Sequence, residues 1–516
     1  MDVVLSLVSH TNVGKTTLAR TLLGADVGDV RDAPHVTEFA DGHDLVLTPD
    51  GDRLRLWDTP GFGDSARLLR RLQASAQPLG WFMASVWDRW RDRPFWLTQQ
   101  ALRHVQADSD VLLYLVNAAE SPAAAGYVAP EMDLLAWVGK PVLVLLNQLG
   151  APRESAAEAA DLDAWRQHLQ RWPGVLGVLP LDAFARCWVH ETALLQAVQG
   201  VLVGDKAVAM QRLAAAWQAR SRATFDAAMQ ELAHSLARTA CARQPLDDGQ
   251  GSLSESLRQM GGALGRLARR VGRAGAAADQ SGDAASAMTA AQRALAATLD
   301  AEVAASTGRL LALHGLAGRA QGEILLRVAG QFAAVQRVPE GQAALWGGAV
   351  TGALSGLTAD ILSGGLTLGG GMLAGALIGA VGAAGLARGI NVVRGTGQSW
   401  LRWSDEALGP LAEAALLRYL AVAHFGRGRG EWAQGEAPQH WRHTVATALA
   451  PQQPMLAALW AARDRRSPRA GDAPGQALGN AERQADALAA QLQPLLAAAA
   501  LRALGQLYPA AYHPPA

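Results

Sequence analysis

The chain has 516 residues, half of them hydrophobic, and its 46 basic side chains are balanced by 46 acidic ones. That length exceeds one compact core and points to two or three domains, while the zero net charge excludes a general electrostatic pull toward nucleic acid. Two cysteines, Cys187 and Cys241, show neither metal nor redox spacing and fit a reducing compartment, and no basic stretch precedes the first apolar run as a signal peptide requires.

The apolar run Val3–Val8 reads as a strand and leads directly into Ser9-His10-Thr11-Asn12-Val13-Gly14-Lys15-Thr16-Thr17, which a helix-like stretch follows. Strand, glycine turn, Lys-Thr and helix is the layout of a phosphate-binding loop. Backbone N–H groups and a helix N-terminus cradle phosphates, the lysine reaches the β/γ oxygens, and the hydroxyl holds Mg²⁺. The full pattern has glycine at the first position, where this chain has Ser9. Lysine otherwise occurs only at Lys140 and Lys206, so its presence at position 15 points to a chemical requirement.

Further strands are expected at Leu45–Thr48 and Leu54–Trp57, joined by the turn signal Pro49-Asp50-Gly51-Asp52, then at Val111–Val116, Val142–Leu146 and Val175–Leu179. Strands alternating with helical stretches predict an α/β P-loop NTPase domain with a mostly parallel sheet over residues 1–204. Asp58-Thr59-Pro60-Gly61 closes the third strand. Asp58 can anchor a Mg²⁺ water shell there, and Gly61 can offer its N–H to a γ-phosphate. Thr37, in His35-Val36-Thr37, is the candidate switch residue on Mg²⁺. The site set is then Asn12, Val13, Gly14, Lys15, Thr16, Thr17, Asp58, Gly61 and Asn147 for nucleotide. Thr16, Thr37 and Asp58 are the metal ligands, and Lys15, Thr37 and Gly61 act on the reacting phosphate.

Between Gly61 and Val111 the segment 80–96 mixes tryptophans with arginines, either an interface for a protein partner or a helical flap on its own domain. Past Gly204 the strand signal vanishes, and an all-α C-terminal domain is expected: a helical region over 205–340, a glycine-rich apolar helical hairpin over 341–395 and a helical region over 396–516. Leu213, Trp217, Met229, Leu232 and Leu236 fall at helical spacing. In 343–387 the only charge is Asp360, and Gly348, Gly352 and Gly356, like Gly371, Gly375 and Gly379, recur every fourth residue. This tract reads either as a hairpin in contact with the inner membrane, with Arg337, Arg388 and Arg394 on the cytoplasmic side, or as a close-packed hairpin inside a soluble domain. His440 and His443 lack a further ligand and read as helix surface. The basic run Arg266 to Arg273 reads as a solvated helix face, and a nucleic-acid partner is not expected.

Thr11-Asn-Val-Gly-Lys-Thr-Thr17, Asp58-Thr-Pro-Gly61 and Val144-Leu-Leu-Asn147 make the first 200 or so residues resemble the Era/TrmE-like P-loop GTPases. In arrangement the chain looks most like a proteobacterial family in which such a domain precedes a long C-terminal domain of unknown function. The resemblance implies a Mg²⁺-dependent GTPase acting as a GTP/GDP switch in the cytoplasm, with slow turnover. It also implies that Asn12 can ligate K⁺ beside the phosphates. Two departures stand out. The guanine-reading Asn-Lys-x-Asp is here Asn147-Gln148-Leu149-Gly150, and losing a bidentate base contact costs about 1–3 kcal/mol. Asp182 either replaces that carboxylate or caps a helix. Phe62 stands where Ras-type enzymes place the water-orienting glutamine, so hydrolysis is expected to be slow or assisted. The alternatives are a nucleotide-clamped membrane or scaffold protein with little turnover, and, by family analogy, a ribosome- or RNA-linked assembly GTPase.

Overall fold

The computed structural model describes residues 1–24, 41–63, 65–74, 93–149, 155–181, 187–246, 281–315, 390–394, 399–424, 439–463, 474–509 and 511. Thr37, Gly150, Asp182, most of the tryptophan-rich segment and the whole glycine tract fall outside them.

The N-terminal part is one mixed, mostly parallel sheet with helices on both faces. Its strands are β1 (Asp2–Ser9), β2 (Asp41–Leu47), β3 (Arg53–Asp58), β4 (Val111–Asn117), β5 (Val142–Asn147) and β6 (Val175–Pro180), in the order β2-β3-β1-β4-β5-β6. Only β2 runs antiparallel, joined to β3 by the expected turn, in which Gly51 takes φ +83° and its N–H donates to Thr48 O. The sequences Val-Leu-Leu-Tyr-Leu-Val of β4 and Val-Leu-Val-Leu-Leu of β5 are buried throughout, as strands covered on both faces must be. The helices are α1 (Lys15–Leu23), α2 (Ser65–Ala74), α3 (Arg93–Asp108), α4 (Val128–Val138), α5 (Ser155–Leu169) and α6 (Trp188–Val201). Gly24 and Gly139, both left-handed, end α1 and α4 as C-cap glycines do.

The next helix, α7 (Gly204–Cys241, 38 residues), belongs to two cores at once. Its first half packs Ala209, Met210, Leu213, Ala214 and Trp217 against Leu5, Leu7, Leu54 and Leu56 of the sheet. Its second half packs Phe225, Met229, Leu232 and Leu236 into a separate helical core. The apolar spacing seen in the sequence is therefore one helix with two partners. Arg212 Nε donates to Asp52 Oδ2 (2.6 Å) in the β2–β3 turn, Lys206 pairs with Asp110, and Arg220 reaches Leu45 O (3.5 Å). The helix is thereby fastened across the sheet, from β2 and the β2–β3 turn to the residue before β4.

Beyond it lie α8 (Ser281–Leu313), α9 (Asp405–Ala423), α10 (Gln439–Leu449), α11 (Gln453–Ala462) and α12 (Pro474–Leu507). The expectation of an all-α region needs one correction. β7 (Arg243–Leu246), β8 (Ile390–Arg394) and β9 (Ser399–Trp403) form a three-stranded antiparallel sheet in the order β7-β9-β8. These strands carry Arg243, Pro245, Arg394 and Arg402, which hid the alternation of short β segments. The region is otherwise largely helical. Among the described residues, one helix is long and apolar enough to cross a membrane, at Ala481–Leu507. Its Leu488, Leu492, Leu496, Ala499 and Leu504 are buried in the helical core, as in a core helix.

Candidate nucleotide site

The loop between β1 and α1 is built from backbone that few residue types tolerate. Asn12 takes φ +64° and Gly14 φ +96°, both left-handed. At Gly14 a Cβ would also stand 2.8 Å from Asn147 Nδ2, so glycine is required there twice over. Helix α1 starts at Lys15 without a side-chain cap and without an acidic residue in its first turn, leaving its N-terminal amides available to an anion.

Lys15 is buried, and its Nζ donates to Ser9 Oγ at 2.9 Å. Burial pushes the ammonium below its ordinary pKa, an effect opposed by the carboxylates of Asp58 and Glu131. Ser9 thus replaces the usual glycine with a hydroxyl that holds the lysine, and the same hydroxyl donates to His10 O at 2.5 Å. Thr16 Oγ1 donates to Asp58 Oδ2 at 2.5 Å, joining the first turn of α1 to the end of β3. These are the hard oxygen donors that suit Mg²⁺. Thr17 is buried behind them.

The Asp58–Gly61 segment lies against the loop. Thr59 Oγ1 donates to Leu7 O (2.6 Å), and Phe62 N donates to Ser9 O (2.9 Å). A Cβ on Gly61 would meet Thr11 Cα at 3.0 Å and Lys15 Nζ at 3.1 Å, so bare backbone is needed for this approach. The Phe62 side chain is fully buried among Val8, Leu68, Phe95 and Tyr114. It belongs to the core and cannot orient water.

Asn147, at the end of β5, is fully buried, and its Nδ2 donates to Val13 O at 2.7 Å. Its amide ties the end of β5 to the loop between β1 and α1. The structure therefore brings together Asn12 through Thr17, Asp58, Gly61 and Asn147, whereas Thr37 lies outside the described residues.

Four neighbours escaped the sequence reading: Ser9 as lysine partner, and the group His10, Glu131 and Tyr114. His10 Nδ1 contacts Glu131 Oε1 at 2.7 Å, Tyr114 OH donates to Glu131 Oε2 at 2.6 Å, and the His10 ring stacks on Tyr127 (4.7 Å, 23°). Burial raises the Glu131 carboxyl above its ordinary pKa, against the pull of His10, Tyr114 and Lys15. The available signal was a lone carboxylate among the inward positions of α4, beside Met132, Leu134 and Leu135.

Residues 4–148 match the family described as 50S ribosome-binding GTPase, and residues 331–493 match the Domain of unknown function (DUF3482). A ribosome-binding-type GTPase domain thus precedes a DUF3482 domain in this chain. It is similar to GTPase Der of Mycolicibacterium vanbaalenii, 29% identical over 157 residues, which are 30% of this chain. The chain spans 27% of that relative's length, about a quarter. Among solved structures it is similar to an Aquifex aeolicus Era variant bound to GDP and AlF4, at 18% identity, TM-score 0.29, and coverage of 39% of this chain and 57% of Era. Era in complex with MgGDPNP and a segment of 16S ribosomal RNA gives 18% identity, TM-score 0.26, and coverage of 35% and 51%.

Proposed function

We propose, from a ribosome-binding-type GTPase domain joined to a DUF3482 domain, that this chain is a slow GTPase working as a guanine-nucleotide switch. One observation carries the reading: Lys15, Thr16, Asp58 and Gly61, contributed by α1 and by the end of β3, converge on the same loop. In that arrangement Lys15 binds the β/γ oxygens, Gly61 N–H reads the γ-phosphate, and the α1 amides hold the remaining charge. Thr16, Thr37 and Asp58 would hold Mg²⁺, which supplies neutralisation of phosphate charge when bound. Water attacks the γ-phosphorus, the bond to the bridging oxygen breaks, and GDP and phosphate leave, the proton from water passing to phosphate. With Phe62 in the core, no side chain at that position assists the attack, so turnover is slow without a helper. We assign K⁺ held by Asn12 as that helper.

The domain extents that fit this reading are 1–204 for the switch, then 205–340, 341–395 and 396–516. The location is cytoplasmic, with the tract 343–387 touching the inner membrane and the segment 80–96 meeting a protein partner. A second reading, a nucleotide-clamped scaffold with little turnover, is favoured by the buried Phe62. A ribosomal-RNA partner, as in the Era complex, is the third.

The test is titration of the full chain with GTP, GDP and ATP, together with single-turnover hydrolysis in K⁺ and in Na⁺ at equal ionic strength. Guanine-selective micromolar binding and faster hydrolysis in K⁺ are expected. Equal affinity for ATP would overturn the guanine assignment, and equal rates would remove the K⁺ role. Binding with no hydrolysis in either salt would favour the clamp.

A further inference from the structure

We propose that His10, oriented by Glu131, is a positioning residue that holds the phosphate loop in its nucleotide-binding shape; this rests on the nucleotide-site reading above. Three parts of the site meet at residues 9 and 10. Lys15 Nζ donates to Ser9 Oγ, and Ser9 Oγ donates to His10 O. His10 also forms an isolated parallel bridge to Phe62, the residue after Gly61. Whatever fixes His10 therefore fixes the lysine's partner and the segment that reads the γ-phosphate.

The fixing group is unusual. Glu131 is fully buried on the otherwise apolar inward face of α4, and both its oxygens are engaged, one by His10 Nδ1 at 2.7 Å and one by Tyr114 OH at 2.6 Å. Tyr127 covers the face of the imidazole. A buried carboxylate held by hydrogen bonds adds little net stability compared with apolar residues of the same volume. Its contribution is directional, because two charge-assisted contacts and one stacking contact leave the ring a single orientation. The charged and titratable groups around it are Glu131 and Tyr127 from the α4 region, Tyr114 from β4 and Lys15 from α1, with Asp58 of β3 acting on Lys15. The negative charge of Glu131 is also felt at Lys15.

A residue that shapes the loop in both nucleotide states changes binding and leaves the chemical step alone. On the full chain, His10→Ala and Glu131→Gln should each weaken MgGDP and MgGTP about tenfold, the worth of one charge-assisted hydrogen bond, with the single-turnover rate at saturation within about twofold. The double variant should be no weaker than the weaker single. His10→Arg, which can again donate to the Glu131 carboxylate, should recover affinity to within about threefold. Unchanged affinity in His10→Ala, multiplying effects in the double variant, or no recovery with His10→Arg would overturn the proposal. Should His10→Ala fail to fold, the isosteric Glu131→Gln and Tyr114→Phe carry the same expectation of weaker binding. Nucleotide binding lost in the unsubstituted protein would overturn the site reading and this inference with it. Tight binding indifferent to these changes would overturn this inference alone.

Discussion

Thr16 Oγ1 and Asp58 Oδ2 are 2.5 Å apart, although 42 positions separate them in the chain. The contact closes the gap between the first turn of α1 and the last residue of β3. It exists because β1 and β3 pair in parallel, with Leu7 opposite Asp58, which brings both strand ends to the same edge of the sheet. Ligands of open α/β sheets bind at that carboxyl edge.

Replacing either member should uncouple nucleotide binding from Mg²⁺. In Thr16→Ala or Asp58→Asn, GDP affinity measured with Mg²⁺ should fall at least tenfold, toward the value in excess chelator, which should itself change little. Lys15→Ala should abolish binding under both conditions. Fluorescent-nucleotide titration with and without chelator checks all three.

Gly14→Ala should remove nucleotide binding and lower stability by roughly 2–4 kcal/mol, since it combines a left-handed φ with a 2.8 Å approach to the Asn147 amide. Gly51→Ala is the control. It shares the left-handed φ but has open space around it, so it should cost only about 1 kcal/mol and leave binding intact. Urea unfolding and nucleotide titration on the two variants separate strain from clash.

Acid should weaken the join between the sheet and α7. Hydrogen bonds from Arg212 and from the chain's N-terminus hold the Asp52 carboxyl at a pKa of about 2, below its unfolded value near 3.8. A depressed carboxyl contributes stability above the unfolded pKa and loses it as pH falls toward the folded one. The unfolding midpoint should therefore decline between about pH 4 and pH 2, and Asp52→Asn should flatten that decline while lowering the neutral-pH midpoint.

A second acid window belongs to the helical region. Burial pushes His424 down to a pKa of about 4, despite its Nδ1 lying 2.6 Å from Leu420 O. Its neutral form is the folded one, so the contribution is full above the unfolded pKa of about 6.5 and is lost as pH falls from there to about 4. His424→Gln should reduce this slope, to which the buried His314 also contributes, without touching the lower window set by Asp52. Thermal unfolding in steps between pH 7 and pH 4 reads it.

Arg463 joins three elements through its guanidinium, to Trp403 O at 2.6 Å, Asp405 Oδ1 at 2.8 Å and Ala240 O at 3.3 Å. Arg463→Met keeps the bulk and removes all three bonds, leaving buried carbonyls unpaired. We expect a loss of about 2–4 kcal/mol in stability with nucleotide affinity unchanged.

The amino-acid sequence by itself determined the six strands of the first sheet, the turn at Gly51, the phosphate loop and the order of the motifs around it. These are local patterns: continuous apolar runs, obligatory glycines, and a lysine where almost none occur elsewhere. Only the tertiary structure decided what depends on pairing across the chain. Asn147 on Val13, and Glu131 between His10 and Tyr114, join positions brought together by β1, β4, β5 and α4, and their residue types carry no sign of one another. The small sheet of β7, β8 and β9 escaped for the same reason, since its strands are short, contain proline and arginine, and are defined by their partners. Helix α7 shows the two levels together. Its period was readable from Leu213 to Leu236, but the division of that single apolar stripe between two cores follows from where the sheet ends and the helical region begins.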